Sequence, residues 1–176
     1  MKKVQAIIAL LVFLNISTVF AARYNCVDIE LLTVDKLNAN TKALKRASHI
    51  PEEILGLIQQ IVIDEVDLNN NGLKSYPADV DKTCPNTNES LVVNGRVIDY
   101  KKGNRAVRYM VGFGAGKQKI ETNLVLTEKK SGKVIAKERV VDRKIGGLVG
   151  GSEDKGKRDY AEKVNKFIRK AIGLGK

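Results

Sequence analysis

The second half of the sequence contains a β-hairpin pattern, and this pattern limits the possible folds more than any other feature. Residues 117–128 alternate polar and apolar side chains, with Ile120, Thr122, Leu124 and Leu126 on one side. Residues 130–133, Lys-Ser-Gly-Lys, are typical of a tight turn, and residues 134–143 supply the return strand. A strand pair with one apolar face must bury that face against another layer. The hairpin therefore predicts a layered domain.

Further strands and a first helix are predicted before the hairpin. Residues 27–31 alternate as a strand with one buried face, which 32–34 can extend, and residues 91–100 form a strand rich in Val and Ile. The polar connector 35–47 has room for a helical turn. A helix follows, with Ser48 as a candidate cap, Pro51 in its first turn and an apolar stripe from 54 to 66. Residues 73–90 are predicted to be a loop.

The chain ends in a second amphipathic helix over residues 154–172. Its apolar face is opposed by Lys163, Lys166, Arg169 and Lys170. The element order β-α-β-β-β-α predicts an α+β fold. We expect a small antiparallel or mixed sheet with two helices packed on one face.

The first 21 residues have the layout of a signal peptide. Lys2 and Lys3 form a basic start, and residues 4–20 are almost wholly apolar. Val19 and Ala21 suit a cleavage site after which Ala22 is the first residue of the mature chain. The apolar run is shorter and more interrupted than the ~20 residues of a membrane span, which disfavours an uncleaved anchor. We therefore expect one α+β domain over 22–176, exported to the periplasm and without a transmembrane span after cleavage. A peripheral position at the outer membrane is the alternative.

The sequence contains two cysteines, Cys26 and Cys84. A lipidated Cys is preceded by small or apolar residues, whereas Cys26 follows Arg23, Tyr24 and Asn25, so we reject a lipoprotein signal. Two cysteines in an oxidising compartment usually pair, which favours a Cys26–Cys84 disulfide over two free thiols.

Positive charge is concentrated in the C-terminal half. Residues 22–95 contain 7 basic and 11 acidic residues, whereas 96–176 contain 22 basic and 9 acidic ones. For an exported protein this basic half suits anionic lipids or envelope polymers rather than nucleic acid. A solvated basic face without a ligand is the alternative.

Two glycine-rich segments, 103–117 and 146–152, are the most distinctive motifs. The first lacks the spacing of a phosphate-binding P-loop or of a dinucleotide fingerprint. Arg105 and Arg108, followed by glycine backbone amides, are the best candidates for an anion site, and purely structural glycines are the alternative. The candidate binding residues are Arg105, Arg108, Tyr109, Gly112, Phe113, Gly114, Gly116 and Lys117, with a second glycine loop of Gly146, Gly147, Gly150, Gly151 and Ser152.

The sequence offers no catalytic constellation. His49 is the one histidine and has no recognisable nucleophile partner, and acidic pairs such as Glu52-Glu53 suit helix N-termini better than acid–base chemistry. One His and two Cys also argue against a zinc, haem or iron–sulfur site. We therefore expect no enzymatic activity, no metal and no cofactor.

The two glycine segments, the hairpin between them and the helix after them resemble the bacterial domain of unknown function 4410 family. The motifs that carry the resemblance are Gly103-Asn104-Arg105-Ala106, Arg108-Tyr109, Gly112-Phe113-Gly114-Ala115-Gly116, Gly146-Gly147-Leu148 and Gly150-Gly151-Ser152. The similarity is strongest over residues 91–172. It implies an exported protein of the lipoprotein type without an established activity, although this chain lacks the lipidated Cys of many relatives.

These observations predict an exported cell-envelope protein that is a non-enzymatic binding or assembly module. The expected partner is an envelope protein. The alternative is an anionic envelope polymer or lipid bound by the basic C-terminal half. The sequence leaves the oligomeric state open.

Overall fold

The computed structural model describes residues 24–36, 39–69, 72–78, 82–102, 118–143 and 153–174. These residues form six strands and three helices. In chain order the elements are β1 (Cys26–Ile29), β2 (Thr33–Val34), α1 (Lys42–Ala47), α2 (Glu52–Leu68), β3 (Lys74–Pro77), β4 (Ser90–Lys101), β5 (Lys119–Glu128), β6 (Val134–Arg143) and α3 (Glu153–Ala171).

The described strands form one mixed sheet in the order β3-β1-β4-β5-β6, with β2 paired to β4. β1 lies parallel to both β3 and β4. Parallel strands need a crossover connection, and the chain between β1 and β3 passes through α1 and α2. β4, β5 and β6 are consecutive antiparallel strands. The sheet therefore joins a parallel half from the N-terminal part of the chain to an antiparallel half from the C-terminal part.

α2 and α3 pack side by side on one face of the sheet. The Gln59 side chain of α2 donates a 2.7 Å hydrogen bond to the Ile29 carbonyl of β1. In α3, the Tyr160 hydroxyl lies 2.8 Å from Thr122 Oγ1 of β5. Asn165 links the two helices by donating to the Glu65 carbonyl oxygen at 3.3 Å. The most deeply buried apolar side chains lie in this layer: Val27, Val66, Leu91, Val97, Leu124, Leu126, Tyr160, Ala161 and Ile168.

The α+β prediction is confirmed, and the hairpin lies where the alternation placed it. Both predicted helices are present with the expected bounds to within a few residues. α1 lies inside the connector in which the sequence left room for a helical turn, and Ser48 follows α1 rather than capping α2. Pro51 occupies the N-cap position of α2 instead, without a side-chain cap. A side-chain cap is present at α1 instead, where Thr41 Oγ1 accepts the Leu44 N–H at 3.2 Å.

Two features of the parallel half differ from the prediction. Residues 73–90 are not wholly a loop, because they contain β3, whose sequence Lys-Ser-Tyr-Pro has no apolar alternation. Tertiary contacts hold this strand, since Ser75 Oγ donates to the Ile63 carbonyl and to Asp67 Oδ1 of α2. β1 is buried on both faces rather than one, and its polar Asp28 is only 1% exposed.

Gly95 in β4 lies where a side chain would collide with the core. A Cβ on Gly95 would come within 2.5 Å of Leu124 Cδ2 and 2.7 Å of Leu32 Cδ2, and both leucines are buried. We expect Gly95→Ala to lower the free energy of unfolding by about 1–3 kcal/mol through overpacking. Urea denaturation measures this loss.

Gly56→Ala is the matched control for this substitution. Gly56 lies inside α2, where an added Cβ meets nothing within 4 Å. This variant is expected to gain about 0.5–1 kcal/mol, because alanine loses less backbone entropy than glycine in a helix. Equal effects of the two substitutions would contradict the packing described for Gly95.

Candidate functional site

The two glycine segments attach to the same end of the sheet. Lys101 at the end of β4, Lys119 at the start of β5 and Arg143 at the end of β6 are neighbours in register. The chain enters segment 103–117 after β4 and segment 146–152 after β6. The topology therefore brings together the points at which the two motifs join the fold.

The candidate residues within these segments lie outside the described residues. They are Arg105, Arg108, Tyr109, Gly112, Phe113, Gly114, Gly116, Lys117, Gly146, Gly147, Gly150, Gly151 and Ser152. Their proposed binding role therefore stays a prediction. The described part of this end of the sheet holds a cluster of charged side chains that the sequence analysis did not single out.

Asp99 is the first centre of this charged cluster. Its carboxylate is 4% exposed and accepts two hydrogen bonds of 2.8 Å from Arg46 of α1 and one of 2.7 Å from Lys119. Burial by itself raises the pKa of Asp99, but the hydrogen bonds and positive charges of Arg46 and Lys119 outweigh it. The pKa of Asp99 therefore lies below its ordinary value of 3.8.

Glu121 is the second centre and shares Lys119 with Asp99. Its carboxylate is 2% exposed, lies 2.5 Å from Lys119 Nζ and also pairs with Arg139 of β6. Burial raises the pKa of Glu121, yet the hydrogen bonds and charges of Lys119 and Arg139 leave it below the ordinary 4.5. Both carboxylates are thus held ionised, which suits a structural clamp between α1, β4, β5 and β6 and does not suit a general acid.

The disulfide predicted from the two cysteines is present. Cys26 of β1 is bonded to Cys84, with a Cα–Cα distance of 5.7 Å. The buried Asp28 holds the same segment, because its Oδ1 accepts the Cys84 N–H at 2.8 Å while its Oδ2 accepts Lys129 Nζ at 2.6 Å. Lys129 Nζ also donates to the Cys84 carbonyl oxygen at 2.6 Å. The Cys84 segment therefore covers the face of β1 that faces away from α2, which explains why Asp28 is buried.

A groove of about 380 Å³ lies between the edge strand β6 and α3. Its apolar lining includes Val140 and Phe167, each 3% exposed. Its charged lining is mostly basic and consists of Arg139, Lys163, Lys166, Lys170 and Glu138. The three lysines belong to the solvent-facing side of the final helix, as the sequence pattern predicted.

Ion pairs neutralise only part of this basic lining. Lys163 Nζ donates to Asp142 Oδ1 at 2.6 Å and to the Val141 carbonyl oxygen at 2.8 Å. Arg139 is paired with Glu121. Lys166 and Lys170 are exposed, and no carboxylate among the described residues lies within ion-pair distance of either side chain. Among the described residues, the positive charge on the α3 side of the groove is therefore only partly compensated.

Two further observations concern the described residues alone. They contain no group of His, Cys, Asp and Glu side chains that could hold a metal ion. Within the same ranges, no helix combines the length and apolar character that a membrane crossing requires.

The fold and this surface define a small α+β domain with a mixed sheet, a disulfide and a basic groove beside an edge strand. Residues 30–150 match the family model described as Domain of unknown function (DUF4410). The chain belongs to this family, as the glycine motifs indicated. A comparison with curated proteins finds no match.

The solved structures that this chain resembles are distant from it in sequence. The PelC dodecamer from Paraburkholderia phytofirmans is similar with a TM-score of 0.50 and 12% identity, over 82% of this chain and 87% of that one. A DUF330 protein from Xanthomonas campestris has a TM-score of 0.49 and 7% identity, over 85% and 84% of the two chains. The lipoprotein GNA1162 from Neisseria meningitidis has a TM-score of 0.38 and 12% identity, over 82% and 96%. At 12% identity the likeness to PelC concerns the fold alone.

Proposed function

We propose that this protein is exported to the cell envelope and acts there as a non-enzymatic module that binds another envelope protein. The outer edge of β6 is the proposed contact surface. The observation that carries the proposal is the position of this ten-residue strand at the edge of the sheet, where no other described strand pairs with its outer side.

An edge strand of this length is able to accept a further strand. No other described strand pairs with its outer backbone groups. Lys163 Nζ contacts one β6 carbonyl, that of Val141, and the remaining outer N–H and C=O groups can form a ladder with an extended segment of another chain. Val134, at the start of β6, is 46% exposed and is one of few large apolar side chains in the described surface. An added strand would cover part of it.

The charges on β6 favour a different protein over a second copy of β6. In an antiparallel pair of two β6 strands centred on Glu138, Lys137 of one strand would lie opposite Arg139 of the other. Like charges directly opposite each other destabilise a sheet. PelC, which has this fold, is a dodecamer, so the fold is compatible with assembly by some surface.

Two observations support export. The first is the signal-peptide layout of residues 1–21. The second is the Cys26–Cys84 disulfide, since disulfides persist mainly in oxidising compartments. Purified protein from the periplasmic fraction is expected to have the intact mass of a chain that starts at Ala22.

A non-enzymatic role is supported by the state of the two buried carboxylates in the cluster. A carboxyl group that acts as a general acid near neutral pH needs a raised pKa. The pKa values of Asp99 and Glu121 are both lowered by their cationic partners. His49 is exposed, and its Nδ1 lies 2.5 Å from the Lys45 carbonyl oxygen of the preceding turn.

The proposal is tested by capture of envelope proteins on the immobilised mature protein, followed by mass spectrometry of what is retained at high salt. Val134→Lys replaces an exposed apolar side chain at the start of β6 with a charged one and is expected to abolish retention of the partner, because an added strand would lose this apolar contact and would have to bury the new ammonium group. Leu68→Lys is the matched control. Leu68 is 81% exposed on α2, away from β6, and this variant is expected to retain the partner.

Equal retention by the Val134→Lys variant and the wild type would contradict the edge-strand contact. The absence of any partner common to the wild type and the Leu68→Lys variant would contradict the binding role itself. Unchanged circular dichroism of both variants confirms that neither substitution has disturbed the fold.

A further inference from the structure

The groove between β6 and α3 lies directly beside the edge on which the proposed partner strand would lie. Its β6 side is formed by residues 138–141 and its α3 side by residues 163–170. A strand added to β6 would therefore project every second side chain toward the α3 side, since alternate residues of a strand face the same way. The side chains on that face of the partner would meet the lysines of α3.

We infer that the partner segment is acidic, with carboxylates on alternate residues that contact Lys166 and Lys170. This inference rests on the proposed function, because it assumes a strand added to β6. It specifies the chemistry of the partner at that site.

Charge complementarity is the first argument. Among the charged residues that line the groove, four are basic and one, Glu138, is acidic. Lys163 and Arg139 already have carboxylate partners in Asp142 and Glu121. The exposed Lys166 and Lys170 have none among the described residues, so an incoming carboxylate would gain a partner without breaking an existing ion pair.

Spacing is the second argument. Lys166 and Lys170 are four residues apart on α3, which corresponds to about 6 Å along a helix axis. Two residues of a β-strand that face the same side are about 6.8 Å apart. A segment with acidic side chains at positions i and i+2 would thus place one carboxylate near each lysine.

The shape of the site favours an extended peptide over a membrane surface. A helix that binds a bilayer inserts exposed apolar side chains at the interface. The apolar side chains of α3 are instead committed to the core, since Tyr160, Val164, Phe167 and Ile168 are all buried. The lysines stand beside a concave groove whose other wall is the edge strand.

A synthetic nine-residue peptide that alternates glutamate with valine and threonine is the probe for this inference. We expect the full mature protein to bind it in fluorescence anisotropy at low salt and to bind the glutamine version of the peptide about tenfold more weakly, as two exposed ion pairs would allow. Lys166→Gln/Lys170→Gln is expected to weaken binding of the glutamate peptide by a similar factor and to leave the glutamine peptide unaffected.

Lys42→Gln/Lys45→Gln is the matched control. These two lysines are exposed on α1 and are three residues apart, so the variant has the same change in net charge on a different surface. It is expected to bind the glutamate peptide like the wild type. An equal loss in both double variants would mean that only the total charge matters and would overturn the inference.

The remaining outcomes separate this inference from the proposed function. If Val134→Lys abolishes envelope-protein capture and peptide binding while Lys166→Gln/Lys170→Gln changes neither, the edge contact stands and the acidic partner is overturned. If Val134→Lys changes neither, both proposals fail. Lysine-dependent binding of phosphatidylglycerol vesicles or polygalacturonate, with no binding of the glutamate peptide, would also overturn the inference and assign the lysines to an anionic lipid or polymer.

Discussion

Replacing Cys26 and Cys84 together with serine is expected to lower the free energy of unfolding by about 4 kcal/mol. The disulfide joins residues 58 positions apart and ties the interior strand β1 to the segment that precedes β4. A cross-link over a loop of this length removes much conformational freedom from the unfolded chain, so its loss stabilises the unfolded state. Urea denaturation of the double variant and the oxidised wild type measures the difference.

The reduced wild type is the control for this prediction. It is expected to match the Cys26→Ser/Cys84→Ser variant, and a reducing agent should not change the stability of the variant. The native fold should survive at low denaturant, because Asp28 and Lys129 still hold the backbone of residue 84. A loss of less than about 1 kcal/mol would contradict a stabilising role for this cross-link.

The second large effect is expected at Asp99. Asp99→Ala should lower the free energy of unfolding at neutral pH by about 3 kcal/mol, near the lower end for breaking a buried ion pair. We choose the lower end because the side chain of Arg46 is 31% exposed and can turn toward water, and because Lys119 keeps Glu121 as a partner. Chemical denaturation of both proteins gives this difference directly.

The exposed pair Lys36–Glu52 offers a matched control for Asp99. Its side chains are 59% and 79% exposed, so Glu52→Gln should change the free energy of unfolding by no more than about 1 kcal/mol, including the loss of a charge in the first turn of α2. Comparable losses from Asp99→Ala and Glu52→Gln would contradict the argument that burial determines the contribution of these ion pairs.

Acid should remove the effect of Asp99→Ala. Because the pKa of Asp99 is lower in the folded protein than its ordinary value of 3.8, its ion pairs stabilise the fold fully above that pH. Their contribution is lost as the pH falls through the lowered pKa. The stability difference between the wild type and the Asp99→Ala variant is therefore expected to shrink below pH 3.8, and a constant difference would contradict the assigned ionisation.

The candidate site was only partly accessible to sequence reasoning. The alternation in 117–128 identified the apolar face of β5, and it also placed Glu121 on the opposite face without indicating that Glu121 is buried. Arg46 and Asp99 are 53 residues apart in the chain, so no local pattern could indicate their hydrogen bonds. The helical spacing of Lys163, Lys166 and Lys170 predicted a basic face, but the groove exists because α3 packs beside the edge strand β6.

Local periodicity by itself determined the hairpin, the two long helices and the α+β class of this protein, because the side chains of each element already divide into apolar and polar faces within a short stretch. The family motifs and the cysteine pair were likewise readable without coordinates. Only the tertiary structure decided the parallel pairing of β1 with β3 and β4, the burial of Asp28 and the position of β6 at the edge. These features depend on contacts between distant segments, whose free energy is not encoded in any single stretch of sequence.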